Sequence, residues 1–557
     1  MHHLATVFAL VLALFLPTTS SFDLVAGLPH ANSDLLEQQF WSISDPQSSQ
    51  YLQFLSREEV ASIVGSPPKL IQRVTAWFNA IGATAIAVSP YQDTVTATFD
   101  STTTFTNRSF PVPPFQFDFL LRRDPKIHSV SVAASTTTVG GAASQWGSGT
   151  YSISNQKKAY GIPTTLAATN DSTLQMVWGP GTFGFSMSQL EQLKQSDVPL
   201  LNTTRVNFDT KNHGEQGGDN YGEGNLDTQM ISSFGLNVHT LVSNTNTSAS
   251  TEEGSGFGEA LLDFVTSLST RKQLPQVLSM SLGSLGGYAC HLLCDKAVAK
   301  GVSKADCNSY LQQQRQVCMF IDTQQVDRIS NGLKILGARG VTVFGSSGDG
   351  GSHFSFQPFE GGNIANVLNE ISCEYSMPVF PTTSPYVVSV GGTAWTGFFN
   401  PDPTKPKAWS GSGGGFSWQF PQPAHQTTEV ATYLSAHRQA MGFPASTSFN
   451  STGRAYPDLA AVAVDGTSQS SPTMAGIFAL LMDHRLNAGL PPLGFVAPRL
   501  WQVASAFPGE AFESVTAGNT KTSCATGFPA SGSKWDPVTG WGRPVWSGIV
   551  KHFGQDN

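Results

Sequence analysis

The sequence predicts an α/β protein whose main body is a parallel sheet with helices on both faces, preceded by a small α+β unit. The first observation lies beyond about residue 150, where helical patterns alternate with short apolar strands. GEALLDFVTSL leads into QVLSMSLG, and QQVDRISNGLKILGARG leads into VTVFGSS. Repeated helix-then-strand units of this kind bury both faces of a parallel sheet. The second lies between Phe22 and Gly140, where the periods are shorter and mixed. SREEV, from Ser56 to Val60, is a capping box with Ser56 as N-cap and Glu59 three residues on. In PPKLIQRVTAWFNAIG, the residues Leu70, Ile71, Val74, Trp77, Phe78 and Ile81 recur at helical spacing, and Gly82 ends the run. IAVSPY and TVTATF then read as strands.

A chain of 557 residues exceeds what one core fills. Its expected division is a signal peptide over 1–20, the small α+β unit over 22–140 and the parallel-sheet body over 141–557. Met1, His2 and His3 precede the apolar run Leu4 to Leu16, which Pro17 ends. That run is too short to span a bilayer, and no later stretch is long enough, so a soluble secreted protein is expected, with no membrane partner. Five N-x-S/T sequons, at Asn107, Asn170, Asn202, Asn246 and Asn450, agree with the secretory route. A net charge of -8 with no Lys/Arg cluster argues against nucleic acid. A Ser/Thr/Gly-rich stretch from about Ala133 to Thr150 reads as an exposed linker open to proteolysis. Six cysteines in a secreted chain favour disulfides over a zinc site. Cys290, Cys294, Cys307 and Cys318 would staple one local insertion, leaving Cys373 and Cys524 for a long-range bridge.

Three segments can carry chemistry. GTSQSSPTMAG, from Gly466, puts Ser468 on a glycine turn that runs into an apolar helix, whose N-terminus can stabilise a negative oxygen. Read blandly, it is a plain N-cap. YGEGNLDTQMI spaces Glu223 and Asp227 i,i+4, on one helix face, where like charges repel. The bland alternative is acids complementing a helix dipole. VTVFGSSGDGG ends an apolar strand in Asp349, which a simple Asx turn would also explain. None of the 12 histidines lies in an H-G-T or T-A-A-H-C context, so histidine is a poor candidate for the base.

Together these segments resemble the sedolisin family of serine-carboxyl peptidases, which includes tripeptidyl peptidases. The matching pieces are Glu223, Leu226, Asp227 and Gln229 as E-x-x-L-D-x-Q, Ser347 to Gly351 as S-G-D-x-G, and Gly466 to Pro472 as G-T-S-x-x-x-P. SGGGFSWQFPQP, FPTTSPYVVSVGGT, RAYPDLAA and WDPVTGWG also look like family segments, and SDPQSSQYLQFLSREEV resembles the family propeptide. The resemblance implies a subtilisin-like sheet, a ferredoxin-like inhibitory propeptide and hydrolysis of peptide bonds in acid, by a tripeptidyl aminopeptidase, an endopeptidase or both. It implies Ser468 as nucleophile, Glu223 as general base, Asp227 orienting Glu223, and Asp349 donating to the oxyanion. Acid suits this set: a histidine base titrates near pH 6.5, whereas a glutamate near 4.3 still accepts a proton. The expected partners are peptide or protein substrates and the chain's own propeptide, in a monomer.

The family also implies one Ca²⁺ near the C-terminus. Matched positions are Ser514, Val515, Gly532, Lys534 and Asp536, with Ser514 standing where the family has an aspartate. A second departure is the short AAVAVDGTS link before Ser468, in place of the family's longer strand-turn-strand stretch. It is expected to leave strand edges unpaired. It also keeps open an alternative, a catalytically impaired homologue that acts by binding peptides or proteins.

Overall fold

In the computed structural model the described residues are 21–100, 117–123, 151–181, 183–209, 222–245, 257–313, 318, 323–356, 363–397, 401–464, 466–532 and 534–555. The expected signal peptide and the Ser/Thr/Gly-rich linker fall outside them. The chain forms two compact units. One comprises Met1–Ala31 with Val64–Ile127, the other Asn32–Ile63 with His128–Asn557.

In the smaller unit four antiparallel strands lie in the order Ala85–Val88, Thr94–Phe99, Phe22–Gly27, Phe119–Arg123. That order is the one a split β-α-β arrangement produces. Alternate residues Phe22, Leu24 and Ala26 face one way and meet Val74, Trp77 and Phe78 of helix Pro68–Ala80 in a single core. Gly82, with φ of 97°, ends the turn after that helix as its position predicts.

The larger unit is built on an eight-stranded sheet. Its order is Asp402–Ala408, Val388–Thr396, Thr342–Ser346, Val277–Met280, Leu174–Pro180, His239–Thr245, Val206–Phe208, with Leu459–Val462 also pairing with Val388–Thr396. All pairings are parallel except that of Asp402–Ala408, which runs antiparallel at one edge. Helices cover both faces. Gln175 and Trp178 are an odd number of residues apart on one strand and so point oppositely. Gln175 Nε2 donates to the carbonyls of Ile231 and Gly235 at the end of helix Gly222–Phe234, whereas Trp178 stacks on Phe264 of helix Phe257–Ser269.

Helix Ser33–Ser44 belongs to this larger unit. Phe40, fully buried, packs against Tyr386 and Phe495, which is worth about 1.5–3 kcal/mol by area alone. Glu37 pairs with Lys334 at 2.6 Å and accepts from the Tyr386 hydroxyl and the Trp41 indole. The capping box forms reciprocally, Glu59 N–H to Ser56 Oγ and Ser56 N–H to Glu59 Oε2. Disulfides join Cys290 to Cys318, Cys294 to Cys307, and Cys373 to Cys524, so the four clustered cysteines close a local insertion and the remaining two make the long bridge. Among the described residues no helix is long and apolar enough to cross a membrane.

The short link before Ser468 does not leave the neighbouring strand bare. Asp458 is anchored by Arg454, by the Ser389 N–H and by the Trp501 indole. The outer edge of Leu459–Val462 then finds backbone partners in a C-terminal loop: Ala460 N–H donates to Gly542 O, and Trp541 N–H to Asp458 O. Unpaired strand groups are costly when buried, and here a loop replaces the expected strand pair.

Candidate active site

Three strands deliver the site from their carboxyl ends, as parallel sheets do. Thr342–Ser346 runs into Asp349, Val277–Met280 into Ser281, and Leu459–Val462 into helix Thr467–Asn487. Gly466, at φ of 110°, is the helix N-cap, a conformation open to glycine at little cost. Ser468 is therefore the second helical residue and half-buried. The plain N-cap reading of this serine does not describe it.

Asp349 reaches across to that helix start. Its Oδ1 accepts from the Thr467 N–H at 2.8 Å and the Thr467 hydroxyl at 2.9 Å, while Thr467 Oγ1 accepts from the Gly348 N–H. Burial pushes the Asp349 carboxyl up against the pull of these two bonds. Both bonds fall on Oδ1, which leaves Oδ2 as the oxygen that a proton would occupy. That oxygen is 2.7 Å from where a Cβ on residue 466 would stand, a second reason for glycine there.

Glu223 and Asp227 lie on helix Gly222–Phe234, which packs backbone-close on the serine helix. A Cβ at Gly476 would come within 2.7 Å of Gly235 N and Ile231 O. Asp227 is fully buried, too deep for an acid that merely complements a helix dipole. Its Oδ1 accepts from Ser281 Oγ at 2.8 Å, and the same hydroxyl is 3.2 Å from the Ser468 carbonyl. Burial first, and then the neighbouring charge of Glu223, push the Asp227 carboxyl well up; the Ser281 bond opposes them. Such a pair shares protons instead of ionising independently. The fold thus brings Asp227, Ser281, Thr467, Ser468 and Asp349 together, and sets Glu223 one turn from Asp227. Sequence reading missed Ser281 and Thr467. The signal for the former is S-M-S in an apolar strand, two serines on one face.

His353, four residues beyond Asp349, is held away from this chemistry. Its Nδ1 lies 2.8 Å from Ser372 O and its Nε2 2.8 Å from Thr526 O.

The five residues matched to a calcium site do not fit that ion. Ca²⁺ takes six to eight oxygens, usually several from carboxylates. Only Asp536 of the five offers one, and protein donors already occupy it: Val538 and Thr539 N–H on Oδ1, Ser531 N–H on Oδ2. The Lys534 carbonyl accepts from Ser531 Oγ, and the Lys534 ammonium sits 3.3 Å from Glu429. Glu513, beside Ser514 and Val515, is bound to Arg543 at 2.7 Å. Among the described residues no three His, Cys, Asp or Glu side chains gather to hold a metal. Ser514, Val515, Gly532, Lys534 and Asp536, the positions expected to hold calcium, thus offer a single carboxylate among them, and its oxygens are already hydrogen-bonded within the turn.

Comparison with known proteins adds three findings. Residues 15–106 match the family model described as Pro-kumamolisin, activation domain. Tripeptidyl-peptidase 1 of Macaca fascicularis is 29% identical over 578 residues, covering 95% of this chain and 91% of the relative, and that of Homo sapiens is 28% identical over the same span. Among solved structures, Pseudomonas sedolisin, a serine-carboxyl proteinase complexed with pseudo-iodotyrostatin, matches with a TM-score of 0.47 and 22% identity, covering 72% of this chain and 98% of that one.

Proposed function

We propose that this chain, which belongs with the serine-carboxyl peptidases, is a secreted zymogen that hydrolyses peptide bonds in acid through Ser468, Glu223, Asp227 and Asp349. The observation that carries the reading is the bracketing of one helix start by two buried carboxyls, Asp227 reaching it through Ser281 and Asp349 through Thr467. In this mechanism Ser468 Oγ attacks the scissile carbonyl while Glu223 takes its proton. Asp227 holds that glutamate, and protonated Asp349 donates to the oxygen that becomes negative. The proton passes to the leaving amine, and water then releases the acyl group from Ser468 by the same steps in reverse.

The mature peptidase begins, in this reading, near residue 141, after acid-driven cutting in the linker between about Ala133 and Thr150. Products from one long peptide separate release of N-terminal tripeptides from internal cleavage. The test is purified full-length chain, acidified and incubated with such a peptide. Ser468→Ala and Glu223→Gln are each expected to lose activity by at least about a thousandfold while keeping the parental circular dichroism. Full activity in either variant removes that residue from the mechanism. A parent that binds peptides without turning them over would establish the binding-only alternative.

A further inference from the structure

Ser279 and Ser281 straddle the carboxyl end of Val277–Met280 two residues apart, so they face the same way. Ser279 Oγ lies 2.9 Å from Ser471 Oγ, both fully buried. Ser281 reaches the Ser468 carbonyl, and Ser468 and Ser471 are three residues apart on one helix face. The strand end thus holds the serine helix at two points about one turn apart. Ser281 is itself fixed from the next strand, where the Ser346 hydroxyl donates to its carbonyl.

A serine hydroxyl carries one proton, yet Ser281 Oγ faces two acceptors, Asp227 Oδ1 and Ser468 O. With Asp227 ionised, the proton belongs to the carboxylate. With Asp227 protonated, the acid donates to Ser281 Oγ, whose own proton turns to the Ser468 carbonyl. Building on the roles assigned above to Ser468, Glu223 and Asp227, we propose that Ser281 is a positioning residue that couples the proton state of Asp227 to the backbone of the nucleophile.

Among the described residues, Glu223 acts on Asp227 from its own helix, and two further helices packed against that one carry Lys157 and Lys158 (Ile153–Ala159) and Glu191 and Lys194 (Met187–Ser196). Val277–Met280 and Thr342–Ser346 carry none, Asp349 follows the latter and is turned to Thr467, and the first charge on the serine helix is Asp483.

The experiment uses full-length chain, acid-matured, with Ser281→Ala, Ser281→Thr and Ser468→Ala assayed between about pH 3 and pH 7. Ser281→Ala is expected to lower kcat roughly tenfold or more with KM within about twofold. Its pH profile moves upward, because the lost bond favoured ionised Asp227. Ser281→Thr, which keeps the hydroxyl, restores both rate and profile. In an Asp227→Asn background the alanine change adds little further loss. A folded Ser281→Ala variant with parental kcat and profile overturns the proposal, as does a full additional loss in the Asp227→Asn background. If the alanine variant fails to fold, Ser281→Cys, a weak donor of similar size, carries the same test. Parental activity in Ser468→Ala would instead remove the nucleophile, an outcome distinct from any Ser281 result.

Discussion

In the proposed mechanism Asp349 works only while it carries a proton, and burial favours that form. Burial raises its carboxyl above the ordinary range, so the donating form is present below that raised value and lost as pH rises through it. An amide donates at any pH. Asp349→Asn is therefore expected to keep part of the activity, roughly 1–10% of the parental kcat/KM, and to lose the alkaline fall in the pH profile. A variant as dead as Ser468→Ala would mean that the carboxylic acid does more than donate. Four of the residues gathered here were legible in the sequence: an i,i+4 acid pair on a helix, an acid ending an apolar strand and a serine after a glycine turn each break a local pattern. Thr467 was not, since a threonine beside a serine breaks none, and the S-M-S pattern marks only a shared strand face, not the partners Ser281 meets there. Only the crossing of separate elements gives them their partners.

Among the elements, the closest approach joins helix Gly222–Phe234 to helix Thr467–Asn487. Gly476 has no Cβ, and the backbone of Ile231 to Gly235 occupies the space one would need. Backbone yields less than a flexible side chain, so Gly476→Ala is expected to cost about 1–3 kcal/mol, read from a lowered melting temperature. Because these helices carry Asp227 and Ser468, kcat should fall with it. An unchanged melting temperature and kcat would show that the helices can part without consequence. Helices and central strands followed from their periods. The antiparallel edge did not, although Asp402–Ala408, DPTKPKA, holds two prolines and two lysines, which suit a strand with one open side. The covered edge of Leu459–Val462 was also hidden, because its partners lie some 80 residues downstream, around Trp541 and Gly542.

Across the whole molecule, carboxyls respond to pH with opposite signs. Asp227, Asp349 and Asp536 are raised, Asp536 to about 6, with burial as the first cause in each. Raised carboxyls give stability that is full below their unfolded values and lost as pH climbs, for Asp536 between about 4 and about 6. Glu37 runs the other way. Burial pushes it up, but Lys334, Tyr386 and Trp41 hold it lower overall, so its contribution fades as pH falls through its depressed value. The melting temperature of Ser468→Ala is therefore expected to rise from pH 6 toward pH 4, and Glu37→Gln should change it more near neutrality than in acid below the depressed Glu37 value. A flat profile in both would set these carboxyls aside as pH sensors. The seating of Asn32–Ile63 has a consequence for how this protein is produced. The two units are interleaved along the chain, so a recombinant product starting at residue 141 lacks Phe40 and Glu37 and leaves Tyr386, Phe495 and Lys334 open to solvent. Folded without that segment it is expected to emerge as an insoluble aggregate, unlike chain that folds whole and is cut afterwards, and a synthetic peptide spanning 32–63, added during refolding, should return it to solution.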